Sequence, residues 1–339
     1  MGRIKPRREL VMSNNMYMAA IGTGFRVIHR LHRPASLSVL LATFAGTVLV
    51  GCSTPQHREH TSSGQGYGEP LLIAHRGASG HLPEHTLEAY TAAFFTGVDM
   101  IEPDLVSTRD GYLICLHDLT LESVSDVEQR FPERQRPDGR WYAMDFDLDE
   151  IKTLTVTGRG QGWVGTQVPT LEETLLLVRR LNTAYGRDVG VVPELKKPTV
   201  HQQAGFDLVA GLKSTIESTG WASGRVIVQC FEEEPLLRFG PKESSPYPLM
   251  FNMPKEVPTN ARLSEIAAFA DGIGISREVI DQDPTLVKRA QERGLRVIAY
   301  TFYDEPAEVT KYLYEHRVDG LYTNFPMMAQ QIRLEHAKK

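Results

Sequence analysis

The feature that most limits the fold is a regular alternation. From Pro70 onward, short β-branched or apolar runs recur: "LLIAH", "DMIEPDLV", "YLICLHD", "VGVVPEL", "RVIVQCF", "YPLMFNM", "DGIGIS", "RVIAYTF" and "DGLYTN". Most are separated by stretches with helical spacing, such as "TLEAYTAAFFTG" and "TLEETLLLVRRLNTAYG", several of which end in glycine. Strands alternating with helices require parallel neighbours in one sheet. Nine candidate strands in the remainder of a 339-residue chain predict an α/β fold, a (β/α)8 TIM barrel with one additional strand.

The additional strand has a predicted place. "DMIEPDLV" and "YLICLHD" are joined only by "STRDG". A parallel crossover needs about a dozen residues, so these two runs must be antiparallel, and Asp110-Gly111 is a hairpin turn signal. The expectation is a hairpin inserted in the barrel wall, with residues 102 and 117 roughly opposite each other. Between about residues 119 and 170 the alternation lapses into Pro, Gly, Arg and aromatic residues. That stretch is expected to be an inserted cap.

The first 52 residues read differently. Met1 to Arg33 is basic, and "PASLSVLLATFAGTVLV" follows, ending at Gly51-Cys52. This is the layout of an export signal, and its apolar run of about 16 residues is short for a spanning helix. "LVGC" resembles the bacterial lipoprotein signal, which implies cleavage after residue 51 and lipidation of Cys52; Ser53 resembles lipoproteins sent to an outer membrane. Residues 52–69 are polar and Gly/Ser-rich, as expected of a flexible tether, and residues 70–339 form the expected barrel domain. The expected location is therefore the periplasm, anchored to a membrane. The other two of the 3 cysteines, Cys115 and Cys230, lie in apolar runs and read as buried free thiols. A net charge of -5 gives no reason to expect a nucleic-acid partner.

Chemistry concentrates where the apolar runs end. Glu102 and Asp104, spaced i, i+2 in a strand, share a face. A solvent-facing strand would show the same spacing, but a hard cation such as Ca²⁺ or Mg²⁺ would compensate two buried acids. Glu194 ends a third apolar run, with Lys196 on the same side. Barrel active sites collect at the C-terminal ends of strands, which favours reading the three carboxylates together. His75 and His117 also end runs and suit general acid–base work. Arg76 offers a planar fork for phosphate oxygens. A metal site, Arg76, Lys196 and two histidines together suit phosphoryl chemistry.

In order and spacing, "AHRGASGHLPEHT", "EPDLV", "LHD", "PELK" and "VDGLYTNFP" resemble the glycerophosphodiester phosphodiesterases. "RFPERQRPDGRWYAMDFDLDEIK" resembles the insertion of the family's periplasmic bacterial branch. The resemblance runs from about Leu71 to the end of the chain. It implies hydrolysis of glycerophosphodiesters to sn-glycerol 3-phosphate and an alcohol, with Ca²⁺, or Mg²⁺ in some relatives. It implies Glu102, Asp104 and Glu194 as metal ligands and His75 and His117 as the acid/base pair. Arg76 and Lys196 would hold phosphate, with Glu84 near the site. Water or the substrate's own glycerol hydroxyl could attack, and the sequence does not say which histidine is the acid. Two residues depart from the wider family: His85 stands where Asn is common, and Asn324 where Asp is usual. A surface lipoprotein using the barrel only for binding, or a phospholipase acting on intact lipid, are the alternatives. The complete set of histidines and carboxylates argues against the first, and the polar, basic insertion against the second.

Overall fold

Two prolines explain how the strands are divided. In the computed structural model, which describes residues 69–157, 165–221 and 223–338, strands are β1 (Leu71–His75), β2 (Met100–Glu102), β3 (Asp104–Ser107), β4 (Leu113–Cys115), β5 (Gly190–Val191) and β6 (Glu194–Leu195). They continue with β7 (Val228–Cys230), β8 (Leu249–Asn252), β9 (Gly272–Ser276), β10 (Arg296–Phe302) and β11 (Gly320–Thr323). Pro103 separates β2 from β3, and Pro193 separates β5 from β6. Proline has no N–H to donate to a ladder. The two strands nevertheless stay in register, because Val192 N–H donates to the Ile101 carbonyl and Glu194 N–H to the Pro103 carbonyl, each at 2.9 Å.

Joined across their prolines, these segments close a barrel of eight parallel strands. β1 pairs with β11 on one side and β2 on the other. β2 pairs with β5 and β3 with β6, and β6 through β11 then pair in sequence order. The expected TIM barrel is the observed fold. β4 is the ninth strand, antiparallel to β3 and turning at Gly111, whose φ is 86°.

Local signals place the outer helices. Thr86 caps the helix Leu87–Thr96, accepting from the Ala89 N–H, and Gly97 ends it in the left-handed region. Thr170 and Glu173 form a capping box for Leu171–Tyr185, and Asp207 caps Leu208–Thr219. Tyr90 and Phe94 bury against the barrel. Inside the barrel, Ile73, Met100, Val192, Met250, Ile298 and Tyr322 form a separate apolar floor.

Residues 119–157 hold a third apolar cluster built on Leu121, Val127, Trp141, Phe146 and Ile151, packed on Val106 and Ile114 of the hairpin. The hairpin is thus covered on both faces. The expectations for residues 1–68, including the signal, Cys52 and most of the tether, lie outside the described residues, as do residues 158–164 of the insertion. Among the described residues no helix is long and apolar enough to cross a membrane.

The turn after β1 carries the chain away from the barrel mouth. Gly77 has φ 83°, and an added Cβ would lie 2.7 Å from the Ala89 carbonyl carbon. Gly77→Ala should therefore cost at least about 1–3 kcal/mol, read as a lowered urea midpoint. An unchanged midpoint would show that the turn can relax.

Candidate active site

Strand register brings the acids together. His75 is paired with Glu102 across β1 and β2, and Asp104 with Glu194 across β3 and β6. All three carboxylates are buried, and one oxygen from each lies within 4.8 Å of the others. Such a cluster is strongly unfavourable without compensation. Arg76 provides part of it: its Nε stands 3.3 Å from Asp104, and its backbone N–H donates to Glu102 at 2.8 Å. Lys196 Nζ stands 2.6 Å from Glu194 and 3.5 Å from Asp104. Glu84 lies outside the cluster and pairs with Arg76 Nη1 at 3.1 Å.

The three acids do not share this compensation equally. Burial alone would raise Asp104, but Lys196, the His85 hydrogen bond and Arg76 outweigh it and hold it well below the usual carboxylate range. Burial, then Asp104 and Glu194, push Glu102 well above that range. Burial and Asp104 also raise Glu194. Three buried carboxylate oxygens at this spacing are a donor set that fits a hard divalent cation. Glu102, Asp104 and Glu194 would hold it, and the expected ligand set is thereby brought to one place.

The histidines differ in their partners. His75 Nδ1 donates to Asn324 Oδ1 at 2.7 Å, which leaves Nε2 as the nitrogen with a free lone pair. Burial, then the Arg76 charge, push His75 down to about 3, so its ring is neutral. His117 lies two residues beyond the end of β4. The Leu105–Cys115 pairing, extended, sets residue 117 opposite Pro103 and not Glu102, one residue off the expected register. Its Nδ1 is 2.7 Å from Asp118 Oδ1, and Asp118 in turn accepts from the Ser123 hydroxyl.

Both histidines, Arg76, Lys196 and the carboxylates line one cavity of about 170 Å³. A wider cavity of about 530 Å³ adjoins it, and His117, Glu194, Lys196 and Phe231 line both.

Several residues that hold the cluster carried no role in the sequence reading. His85 is buried, with Nε2 2.9 Å from Asp104 and Nδ1 2.8 Å from the Tyr90 hydroxyl. Burial lowers its pKa, so the neutral ring donates through Nε2 and accepts from Tyr90. Below the acids, Gln229 Nε2 reaches Glu102 at 3.4 Å, and Asn252 Nδ2 reaches Glu194 and Gln229 Oε1, both at 3.2 Å. The Tyr322 hydroxyl donates to the same Gln229 oxygen at 2.7 Å. The available signal was one amide in each apolar run, "VIVQCF" and "LMFNM". A lone polar residue on a buried strand needs a partner inside.

The glycerophosphoryl diester phosphodiesterase family matches residues 75–328. The chain belongs to that family. It is 35% identical over 219 residues to a glycerophosphodiester phosphodiesterase of Haemophilus influenzae, covering 59% of this chain and 60% of that one. A Treponema pallidum enzyme of the same name is 33% identical over 188 residues, covering 50% of this chain and 53% of that one. The alignments thus span only a little over half the length of these relatives. Among solved structures, an Oleispira antarctica phosphodiesterase in complex with the product sn-glycerol-3-phosphate superposes with a TM-score of 0.63 at 23% identity. That match covers 78% of this chain and 97% of that one, and it shows the shared fold.

Because burial, then Asp104 and Glu194, push Glu102 well above the usual carboxylate range, a cation bound there competes with a proton. Calorimetry with Ca²⁺ or Mg²⁺ should therefore show an apparent affinity that rises with pH, with proton release wherever Glu102 is still protonated. Gln229→Leu, which removes the amide beneath Glu102, should weaken binding by about 10–100-fold with the circular dichroism spectrum unchanged. Affinity independent of both pH and Gln229 would count against this reading of the cluster.

Proposed function

We propose that the chain is a metal-dependent glycerophosphodiester phosphodiesterase of the periplasmic bacterial branch, releasing sn-glycerol 3-phosphate and an alcohol. The observation that carries this reading is the single cavity in which His75 and His117 flank a carboxylate cluster, with Arg76 and Lys196 beside it. The family membership and the product complex of the Oleispira protein support the substrate class.

A bound divalent cation, Ca²⁺ or Mg²⁺, would neutralise phosphate charge and act as a Lewis acid. The chain's own residues supply the remaining steps. Arg76 and Lys196 bind the phosphate oxygens. His75, neutral and with Nε2 unprotonated, takes the proton from the attacking oxygen as it bonds to phosphorus. His117 lines both cavities, so the ester oxygen beside it leads toward the wider one. As the bond from phosphorus to that oxygen breaks, His117 gives a proton to the departing alcohol, its ring oriented by Asp118 at Nδ1. Proton exchange with solvent restores both rings.

A coupled assay for glycerol 3-phosphate tests this on glycerophosphocholine and related diesters. His75→Ala and His117→Ala should each lower kcat by about 10²–10⁴-fold, and exhaustive EDTA treatment should abolish turnover until Ca²⁺ or Mg²⁺ is restored. A variant that kept near-wild-type kcat would remove that histidine from the mechanism. Full activity after EDTA would remove the metal.

For the N-terminal segment the proposal is export and lipidation at Cys52, with the protein held at the periplasmic side of a membrane, the outer membrane by preference. The apolar run ending in Gly51-Cys52 supports it. Metabolic labelling with palmitate should mark the wild-type protein and not Cys52→Ser; an unlabelled wild type would overturn it.

A further inference from the structure

We infer that the wider cavity is a leaving-group subsite selective for neutral, polyhydroxylated alcohols, with Lys197 as the specificity-determining residue. This rests on the hydrolase reading above.

The cavity is large enough to hold more than one ester substituent. At about 530 Å³ it has some three times the volume of the cavity that holds the histidines and carboxylates. It meets that cavity at His117, Glu194, Lys196 and Phe231, which line both, so the second substituent on phosphorus can extend into it. Asp118 lines it together with Thr120 and Arg140 of the insertion; the segments after β6 and β7 contribute Lys197, Phe231 and Glu232.

The charges on these walls are mostly engaged already. Asp118 holds His117 and Ser123. Arg140 pairs with Glu122 and donates to Thr120 at 2.7 Å. Glu232 accepts from the Thr199 backbone at 3.0 Å and from its hydroxyl. Lys197 differs: among the described residues no acidic group pairs with its ammonium.

The backbone of Lys197, an exposed residue, is held in place at a conformational cost. Its φ and ψ are 46° and 51°, the left-handed region, directly before Pro198, where residues with a Cβ are strained. Its carbonyl accepts from the Val200 N–H at 3.0 Å and the His201 N–H at 3.2 Å. The buried His201 ring adds a contact from Nδ1 at 3.2 Å, while its Nε2 accepts from the Ser107 N–H at 3.1 Å. The strained lysine is thus tied through His201 to the hairpin that ends near His117.

This lining selects by charge and by hydrogen bonding. A trimethylammonium or ammonium group in the cavity would face Lys197 and Arg140. An anionic group would face Asp118 and Glu232. A neutral polyol can accept from Lys197 and Arg140, donate to the carboxylates, and lay its C–H face on the phenyl ring of Phe231, which is 43% exposed. Sites built to hydrogen-bond a substrate hydroxyl discriminate strongly against analogues that lack it, because their polar groups are then left unpaired.

The test measures kcat/KM through the common product, glycerol 3-phosphate. Glycerophosphoglycerol and glycerophosphoinositol are compared with glycerophosphocholine and glycerophosphoethanolamine. The polyol diesters should be favoured by about tenfold or more, and Lys197→Ala should reduce that ratio severalfold. Lys197→Gly suits the left-handed backbone and should give the same result if the alanine variant folds poorly. Equal rates on all four diesters, a preference for the cationic pair, or a ratio unmoved in both variants would overturn the subsite and leave the hydrolase reading standing. No turnover of any diester would overturn the hydrolase reading, and this inference with it.

Discussion

The site is organised by the cost of keeping Glu102, Asp104 and Glu194 out of water within 4.8 Å of one another. Three like charges at that spacing cannot all remain ionised in a medium of low dielectric without cations nearby. The surrounding residues act as answers to that constraint. Arg76 and Lys196 bring positive charge from the ends of β1 and β6. His85 donates to Asp104 from the turn before the first helix, and Gln229 and Asn252 support the other two acids from β7 and β8. Asp104 takes the largest share, and Glu102 is left as the acid that most favours a proton or a cation.

The barrel gives these groups fixed positions. Pro103 and Pro193 interrupt their strands at adjacent places in the wall, one residue before Asp104 and Glu194 respectively. The ladder passes through both prolines by way of their carbonyls and neighbouring N–H groups. Each carboxylate therefore starts a short strand segment whose register is set on both sides. The apolar floor of Ile73, Met100, Val192, Met250 and Ile298 closes the barrel beneath them.

Much of this was legible in the chain because it is written in short-range spacing. The apolar runs marked every strand, "STRDG" forced the hairpin, and acids and histidines at run ends marked the face where these side chains gather. What was not legible depends on register and on contacts between distant residues. The place of His117 differed by one residue because the hairpin pairs Leu105 with Cys115, which the turn signal alone does not fix. His85 was marked only as a departure from the family pattern, yet its left-handed backbone, with φ 56°, places the ring against Asp104. Gln229 and Asn252 were hidden in apolar runs, and only closure of the barrel shows which acids they face. The insertion read as irregular because its core is assembled from single residues, Leu121, Trp141, Phe146 and Ile151, spread over short helices and loops.

Asn324 orients His75 as a neutral partner. An aspartate in its place would also orient the histidine, but its carboxylate would favour the protonated ring. The asparagine carbonyl keeps the orienting bond to His75 Nδ1 at 2.7 Å and adds no charge. With burial and Arg76 already disfavouring a positive ring, His75 is held neutral with Nε2 available. His117 has the opposite arrangement, a carboxylate partner in a more exposed setting, with a third of its side chain accessible. The two rings therefore sit in different settings, and the difference lies in what each Nδ1 touches, an amide oxygen for His75 and a carboxylate for His117.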